Sequence, residues 1–249
     1  MISVLAIVTS MTMVSCSGSG SGPGAQPSTA SPVPPSTAAA SSPPASPTPA
    51  GPAQLTGSQL AALLLTPDQF PAGFASSATA ALDSGGSITT AAPLHDPQHL
   101  SCPQLVTDLW RPGFGETAMA TNLVFNNATS ESYSEAVYQF ASSGLADVFY
   151  DDLSATWSSC RTIVADLTPT EVGRMAVLPA TAPSGLGVQD FAVTMDGTEG
   201  RRLSQTVTVV REGVDVYLGA ASRLGTKQPT DLSSAALLHE LIGSVSESG

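Results

Sequence analysis

From residue 54 onward the hydrophobic and polar positions change period several times, and each change predicts an element. Leu60-Ala61-Ala62-Leu63-Leu64-Leu65 reads as a short helix with Ser58 as its N-cap. Thr66-Pro67-Asp68-Gln69-Phe70 starts a second helical turn, with proline at a first helical position, and Pro71 closes it. Residues 88–94 predict a strand. Pro97 and Pro103 then bracket an irregular stretch that leads to a short helix over Gln104–Trp110. Residues 117–126 and 132–141, rich in Thr, Val, Phe and Tyr, predict two strands joined by the turn-forming Asn126-Asn127-Ala128-Thr129-Ser130.

The strongest helical signal follows. Leu145, Val148, Phe149, Leu153, Trp157 and Cys160 recur at three- and four-residue spacings and so share one face, with Asp147, Asp151 and Asp152 toward the other. The remainder alternates with a period of two. Short strands are predicted at Ile163–Leu167 and Arg174–Leu178, and Phe191, Val193 and Met195 alternate with polar or small neighbours. Over Arg201–Arg211, Leu203, Val207 and Val209 oppose Ser204, Thr206 and Thr208; the polar set lines a cleft or faces water. Glu212-Gly213 turns the chain into Val214, Val216, Leu218 and Ala220, a hairpin partner. Asp231 caps a last helix whose apolar side is Leu232, Leu238, Leu241, Ile242 and Val245. Strands adjacent in sequence predict an antiparallel sheet covered by helices on one face, an α+β architecture.

Ahead of residue 54 no such periodicity exists, and composition carries the reading. All the charged residues, eight basic and twenty acidic, lie from Asp68 onward. Residues 2–14 (ISVLAIVTSMTMV) form an uncharged apolar run with the length of a signal-peptide core, too short to span a bilayer. Met13-Val14-Ser15-Cys16 resembles the bacterial lipobox, with Met13 where Leu or Val is usual. That resemblance implies removal of residues 1–15 and acylation of Cys16, a palmitate-type lipid anchor; a plain secretory peptide with a chance cysteine is the alternative. A basic segment is expected before the apolar run, so translation is expected to begin upstream of Met1. Residues 16–53 then combine the lipidated cysteine with a Ser/Gly/Pro-rich disordered tether. Its 17–53 stretch would span about 33 Å as a flexible coil and roughly 115 Å as extended polyproline II. The Ser/Thr/Pro content also permits O-glycosylation.

Charge and cysteine count narrow the functional classes. A net charge of −12 excludes a surface able to neutralise a row of phosphates, so no nucleic-acid partner is expected. It also excludes a basic patch on an anionic membrane, which leaves the lipid as the membrane contact. Of three cysteines, removing Cys16 leaves Cys102 and Cys160 as one pair, 58 residues apart. Outside the cytosol they are expected to oxidise to a disulfide worth about 4 kcal/mol in the chain-entropy picture. A metal site is the rival, without a C-x-x-C partner to support it.

The marks from Leu63 to the end resemble a family of actinobacterial envelope domains: the extracellular sensor domains of PknH-type mycobacterial serine/threonine kinases and their lipoprotein-anchored relatives. The matching pieces are Leu63-Leu64-Leu65-Thr66-Pro67-Asp68, Pro97 with Cys102 before a short helix, and a strand and helix ending in Trp157-Ser158-Ser159-Cys160. An apolar C-terminal helix completes them. The resemblance covers most of 58–246 and implies a sensor-like α+β domain over 54–249, with a cleft and an extracytoplasmic ligand. Kinase-linked members carry a second disulfide, for which this chain has no cysteines. The chain holds neither a kinase domain nor a membrane-spanning helix, so sensing would not be transduced within it.

Candidate chemistry is sparse. His95 and His99 stand four apart, but Pro97 between them breaks a regular helix, and His239 sits in the last helix beside Glu240. No metal, cofactor or catalytic group is assigned. There is no G-x-S-x-G elbow, and the aspartates around 147–152 lack the glycine-bearing loop of a calcium site. Binding remains. Trp110-Arg111-Pro112-Gly113-Phe114-Gly115 offers two aromatics and a cation on a glycine-rich loop, so Trp110, Arg111 and Phe114 are the candidate ligand residues. The competing reading has Trp110 closing one edge of the core. Three functions follow for a protein on the outer face of the cell membrane. One is recognition of a small molecule or envelope component; a second is docking of another envelope protein; the last is an envelope hydrolase.

Overall fold

The structure, a computed structural model, describes residues 54–78, 80–88, 100–168, 171–180, 189–197, 203–225 and 234–248. Cys16, the tether, His95 and His99, Asp231 and Leu232, and residues 89–94 of the predicted 88–94 strand lie outside them.

Helix α1 spans Gly57–Ala61, and its N-cap is Thr56 rather than Ser58. Gln59 decides this. The Thr56 hydroxyl accepts from the Gln59 N–H while the Gln59 side chain accepts from the Thr56 N–H, a reciprocal pair that Ser58 cannot form. A 3₁₀ turn at Pro67–Gln69 starts at proline as expected. Two very short strands, β1 (Ala75–Ser76) and β2 (Leu82–Asp83), both pair with β3. Helix α2 (Gln104–Thr107) is shorter than its pattern suggested. The β3 (Ala118–Asn126) and β4 (Glu131–Gln139) hairpin closes at Asn126, whose side-chain oxygen accepts from the N–H groups of Ala128 and Thr129. Helix α3 (Ser143–Ser159) is capped by the Ser142 hydroxyl.

Strands β5 (Thr162–Thr168), β6 (Glu171–Ala180), β7 (Gln189–Gly197), β8 (Leu203–Glu212) and β9 (Asp215–Leu224) follow, then α4 (Ser234–Ser246). One antiparallel sheet results, ordered β1-β3-β4-β9-β8-β7-β6-β5, with β2 beside β1 on β3. The fold is therefore α+β with an antiparallel sheet and flanking helices.

The helices cover both faces of the sheet, which corrects the one-face expectation. On the first face, Phe149, Leu153 and Trp157 of α3 join Tyr138, Val207, Val209, Val216 and Leu218. On the second, Leu238, Leu241 and Val245 of α4, with Leu60, Leu65 and Phe70, join Val137, Tyr133, Val210 and Tyr217. Burial on both sides requires central strands that are apolar at consecutive positions, and β9 has them: residues 216–220 (VYLGA) are all buried. The polar side of β8 runs from water into the core: Ser204 is exposed, Thr206 is half-buried and Thr208 is covered. Thr208 is 1% exposed and its hydroxyl lies 2.9 Å from that of Ser234, at the start of α4.

Helix α3 also departs from its pattern at the start. Leu145 is 48% exposed and Val148 half-buried, because the buried stripe runs through Ala146, Phe149, Tyr150, Leu153 and Trp157 and leaves both to one side. Asp147 pairs with Arg211 at 2.7 Å, and Asp152 accepts from the Leu100 N–H, so two of the three aspartates have structural partners. Cys102 and Cys160 form a disulfide with a Cα–Cα distance of 5.8 Å, in the same core cluster as Trp157.

Candidate functional site

The 110–115 loop does not present its aromatics together. Glu116 sits 3% exposed, and its carboxylate accepts from the N–H groups of Gly113 and Phe114, both at 2.7 Å. Those two bonds turn Phe114 inward, where its ring stands 5.0 Å from Phe149 and 6.0 Å from Tyr138. The Tyr138 hydroxyl in turn donates to the Leu109 carbonyl. Phe114 is a core residue, Trp110 packs half-buried against the same cluster, and Arg111 is exposed. The core-edge reading of Trp110 fits this placement. His239 is exposed on α4. Among the described residues, no three His, Cys, Asp or Glu side chains cluster as a metal site would require.

A cleft lies elsewhere, at the β3 edge of the sheet. It measures about 270 Å³ and is open to solvent on one side. One wall is the chain leaving α1, Leu64 to Pro67; the other is Ser76–Ala78 and Ala81–Asp83; the floor is Thr121 and Asn122 of β3. The volume falls just under the usual range for small-ligand sites, and the lining mixes aliphatic with hydroxyl and amide groups. No basic residue lines it, and its carboxylate, Asp83, already accepts from Gly85 N–H at 2.6 Å. Such a lining suits a small neutral molecule with an apolar side and a few hydroxyl or amide groups.

Two features hold the walls. Gly57 lets α1 approach the sheet closely: a Cβ there would lie 2.6 Å from the Ser84 nitrogen and 2.9 Å from the Met119 carbonyl oxygen. Beyond α1, Leu65 is clamped at both ends of its backbone. Its N–H donates to Glu135 Oε1 at 2.8 Å, and its carbonyl accepts from Asn122 Nδ2 at 2.9 Å. Asn122 and Glu135 are direct cross-strand partners on β3 and β4, so the sheet register sets the clamp.

Glu135 was not singled out from sequence. It is 1% exposed, and its Oε2 has no hydrogen-bond partner; the neighbouring Tyr133 hydroxyl is likewise buried and unpartnered. Burial pushes the Glu135 carboxyl up to about 8, with the Leu65 N–H and Asn122 acting in the opposite direction and Glu240 of α4 adding repulsion. Asn122 Nδ2 gives one N–H to the Leu65 carbonyl, and its amide favours the charged form of Glu135 without standing within hydrogen-bond reach of Oε2. At neutral pH the group is mainly a carboxylic acid.

Fold and site together define a class: an antiparallel α+β domain with helices on both faces and a small open cleft at one sheet edge. Among solved structures, the extracellular domain of PknH from Mycobacterium tuberculosis shares this fold, with a TM-score of 0.56 and 15% sequence identity. The match covers 79% of this chain and 100% of that one. Neither a protein-family model nor a curated protein matches the chain. No helix among the described residues is long and apolar enough to cross a membrane.

Proposed function

We propose that this chain is an exported cell-envelope lipoprotein whose folded part binds or senses a small molecule or envelope component in the cleft beside α1. The observation that carries the reading is the clamped cleft: a wall fixed by two side-chain hydrogen bonds to one backbone residue, above a floor of hydroxyl and amide groups. Pre-formed concave sites with few, fixed polar groups are what small-ligand recognition uses. The shared fold with a domain whose name places it outside a cell supports an extracytoplasmic address, as do the lipobox-like Met13–Cys16 and the uncharged tether. The reading is of binding, with no catalytic group assigned.

Ala78 is exposed on the cleft wall, so Ala78→Trp fills the cleft without entering the core. A cleft ligand should bind this variant at least tenfold more weakly by calorimetry, with melting unchanged. Equal affinity would remove the cleft as the site.

A second reading, docking of another envelope protein, is favoured by the far end of the sheet. Val164 and Leu178 are 52% and 50% exposed on one face of the β5–β6 pair, beyond the cover of α4. Val164→Lys with Leu178→Lys would abolish a complex formed there and leave cleft binding intact.

A further inference from the structure

The cleft wall rests on a side chain whose charge state matters. Glu135 faces α4 and the Leu64–Pro67 segment from the middle of a buried sheet face. Around it, β3 contributes Asn122, β4 contributes Tyr133, and β9 contributes Gly219, which has no side chain. Helix α4 contributes Glu240, held by Gln69 Nε2 at 2.7 Å, while the adjacent His239 is exposed. Asp68 of the 3₁₀ turn is exposed as well. Arg223, the basic residue on this face of β9, stands opposite Glu131, four positions along β4, too far to neutralise Glu135. The charge that acts on Glu135 is therefore the repulsive one of Glu240.

We propose that Glu135 is a proton-operated latch on the cleft: protonated, it holds the Leu64–Pro67 wall on the sheet, and ionised, it favours an arrangement in which that wall lifts. Ionisation strengthens the single bond to the Leu65 N–H. It also leaves Oε2 as half of a buried charge with no donor, and an unpaired buried charge costs more than one hydrogen bond returns. Relief comes from letting water reach Oε2. Of the elements over Glu135, α4 is seated by Leu238, Leu241, Ile242 and Val245 along its length, whereas the wall has only Leu64 and Leu65 in that cluster and is otherwise tied by the two clamp bonds, one of them to Glu135 itself. The wall yields first. Because Leu64 to Pro67 line the cleft, ligand affinity becomes pH-dependent, a consequence that rests on the cleft reading above.

The sign follows from the shift. The closed form keeps its proton up to about pH 8, while an opened, hydrated Glu135 releases it near its ordinary value of 4.5. Closure is therefore fully favoured below about 4.5, weakens as pH rises through the interval, and stops changing above about 8. The test is hydrogen exchange of the Leu65 amide in the full chain from pH 5 to pH 8, with the chemical acceleration of exchange divided out. Opening at Leu65 should rise about tenfold per pH unit, while the amides of Val209 and Leu218 in the sheet centre keep their protection. Glu135→Gln, which retains the acceptor for Leu65, should abolish that rise. Glu240→Gln is an exposed change that gives an independent reading: with repulsion removed, the plateau should begin at lower pH. A flat wild-type profile, an unchanged slope in Glu135→Gln, an unmoved plateau in Glu240→Gln, or sheet-centre amides opening in step with Leu65 would each overturn the latch. Failure to find any cleft ligand would instead remove the cleft reading and leave the exchange result standing.

Discussion

Replacing Gly219 by alanine probes the contact between α4 and the second face of the sheet. Gly219 sits in the middle of β9 between Thr208 and Glu135. A Cβ built there would lie 2.7 Å from Leu238 Cγ and 2.7 Å from the Tyr133 hydroxyl oxygen. Neither neighbour can retreat cheaply. Leu238 is fully buried in α4, and Tyr133, 1% exposed, packs 5.6 Å from the ring of Phe70. Alanine in a strand interior would otherwise gain roughly 0.5–1 kcal/mol over glycine through the unfolded chain. Overpacking a rigid core costs about 1–3 kcal/mol and should outweigh that gain.

Gly243 is the control. It lies in α4 with nothing within 4 Å of its would-be Cβ, so Gly243→Ala should stabilise by roughly 0.5–1 kcal/mol through helix propensity alone. Urea unfolding of both variants should separate them by about 1–3 kcal/mol, the overpacking cost alone, with unchanged m-values. If Gly219→Ala proves as stable as Gly243→Ala, α4 is not seated on β9 as described.

Other consequences are equally concrete. Cys102→Ser with Cys160→Ser should lower stability by about 4 kcal/mol, read by denaturant unfolding; thiol titration of the exported wild type should find neither of these cysteines reactive, and two free thiols would refute the bond. Glu135→Gln should gain roughly 3 kcal/mol over wild type at pH 7, because the wild-type fold holds a proton that its unfolded chain releases. Asp215, which burial raises to about 6, shapes the wild-type curve only below that pH, so the variant should flatten stability between pH 6 and 8. Cys16→Ala should move the protein from the membrane fraction to the soluble one, and continued retention would sink the lipid anchor.

Much of the architecture was legible in the chain because local chemistry agreed with the fold. The strands read at 117–126 and 132–141 occur within two residues of their predicted ends, since β-branched and aromatic residues flank an Asn-rich turn. Glu212-Gly213 turns the chain as expected, with Gly213 at φ 59°. What was not legible depends on contacts distant in sequence. In β4, Glu131, Tyr133, Glu135, Val137 and Gln139 alternate as a solvent-facing strand would, yet all are buried, because α4 and the 54–70 segment fold over them. A buried carboxyl cannot be told from a solvated one by spacing. The 110–115 loop misled for the opposite reason. Glycines beside aromatics suggest an open binding loop, but the carboxylate of Glu116 gathers the Gly113 and Phe114 N–H groups and drives the ring inward. An acidic residue two positions after Phe114 was the available signal.

The proposed recognition of small neutral molecules in the cleft beside α1 can be read from a chemical-shift map. The isotopically labelled full chain would be titrated with a library of uncharged fragments bearing hydroxyl or amide groups. Fragments that bind should shift the amides of Leu65, Thr66, Thr121 and Asn122, and Ala78→Trp should erase those shifts. Shifts gathered instead around Trp110 and Arg111 or on the Val164–Leu178 face, or no fragment binding at all, would contradict it.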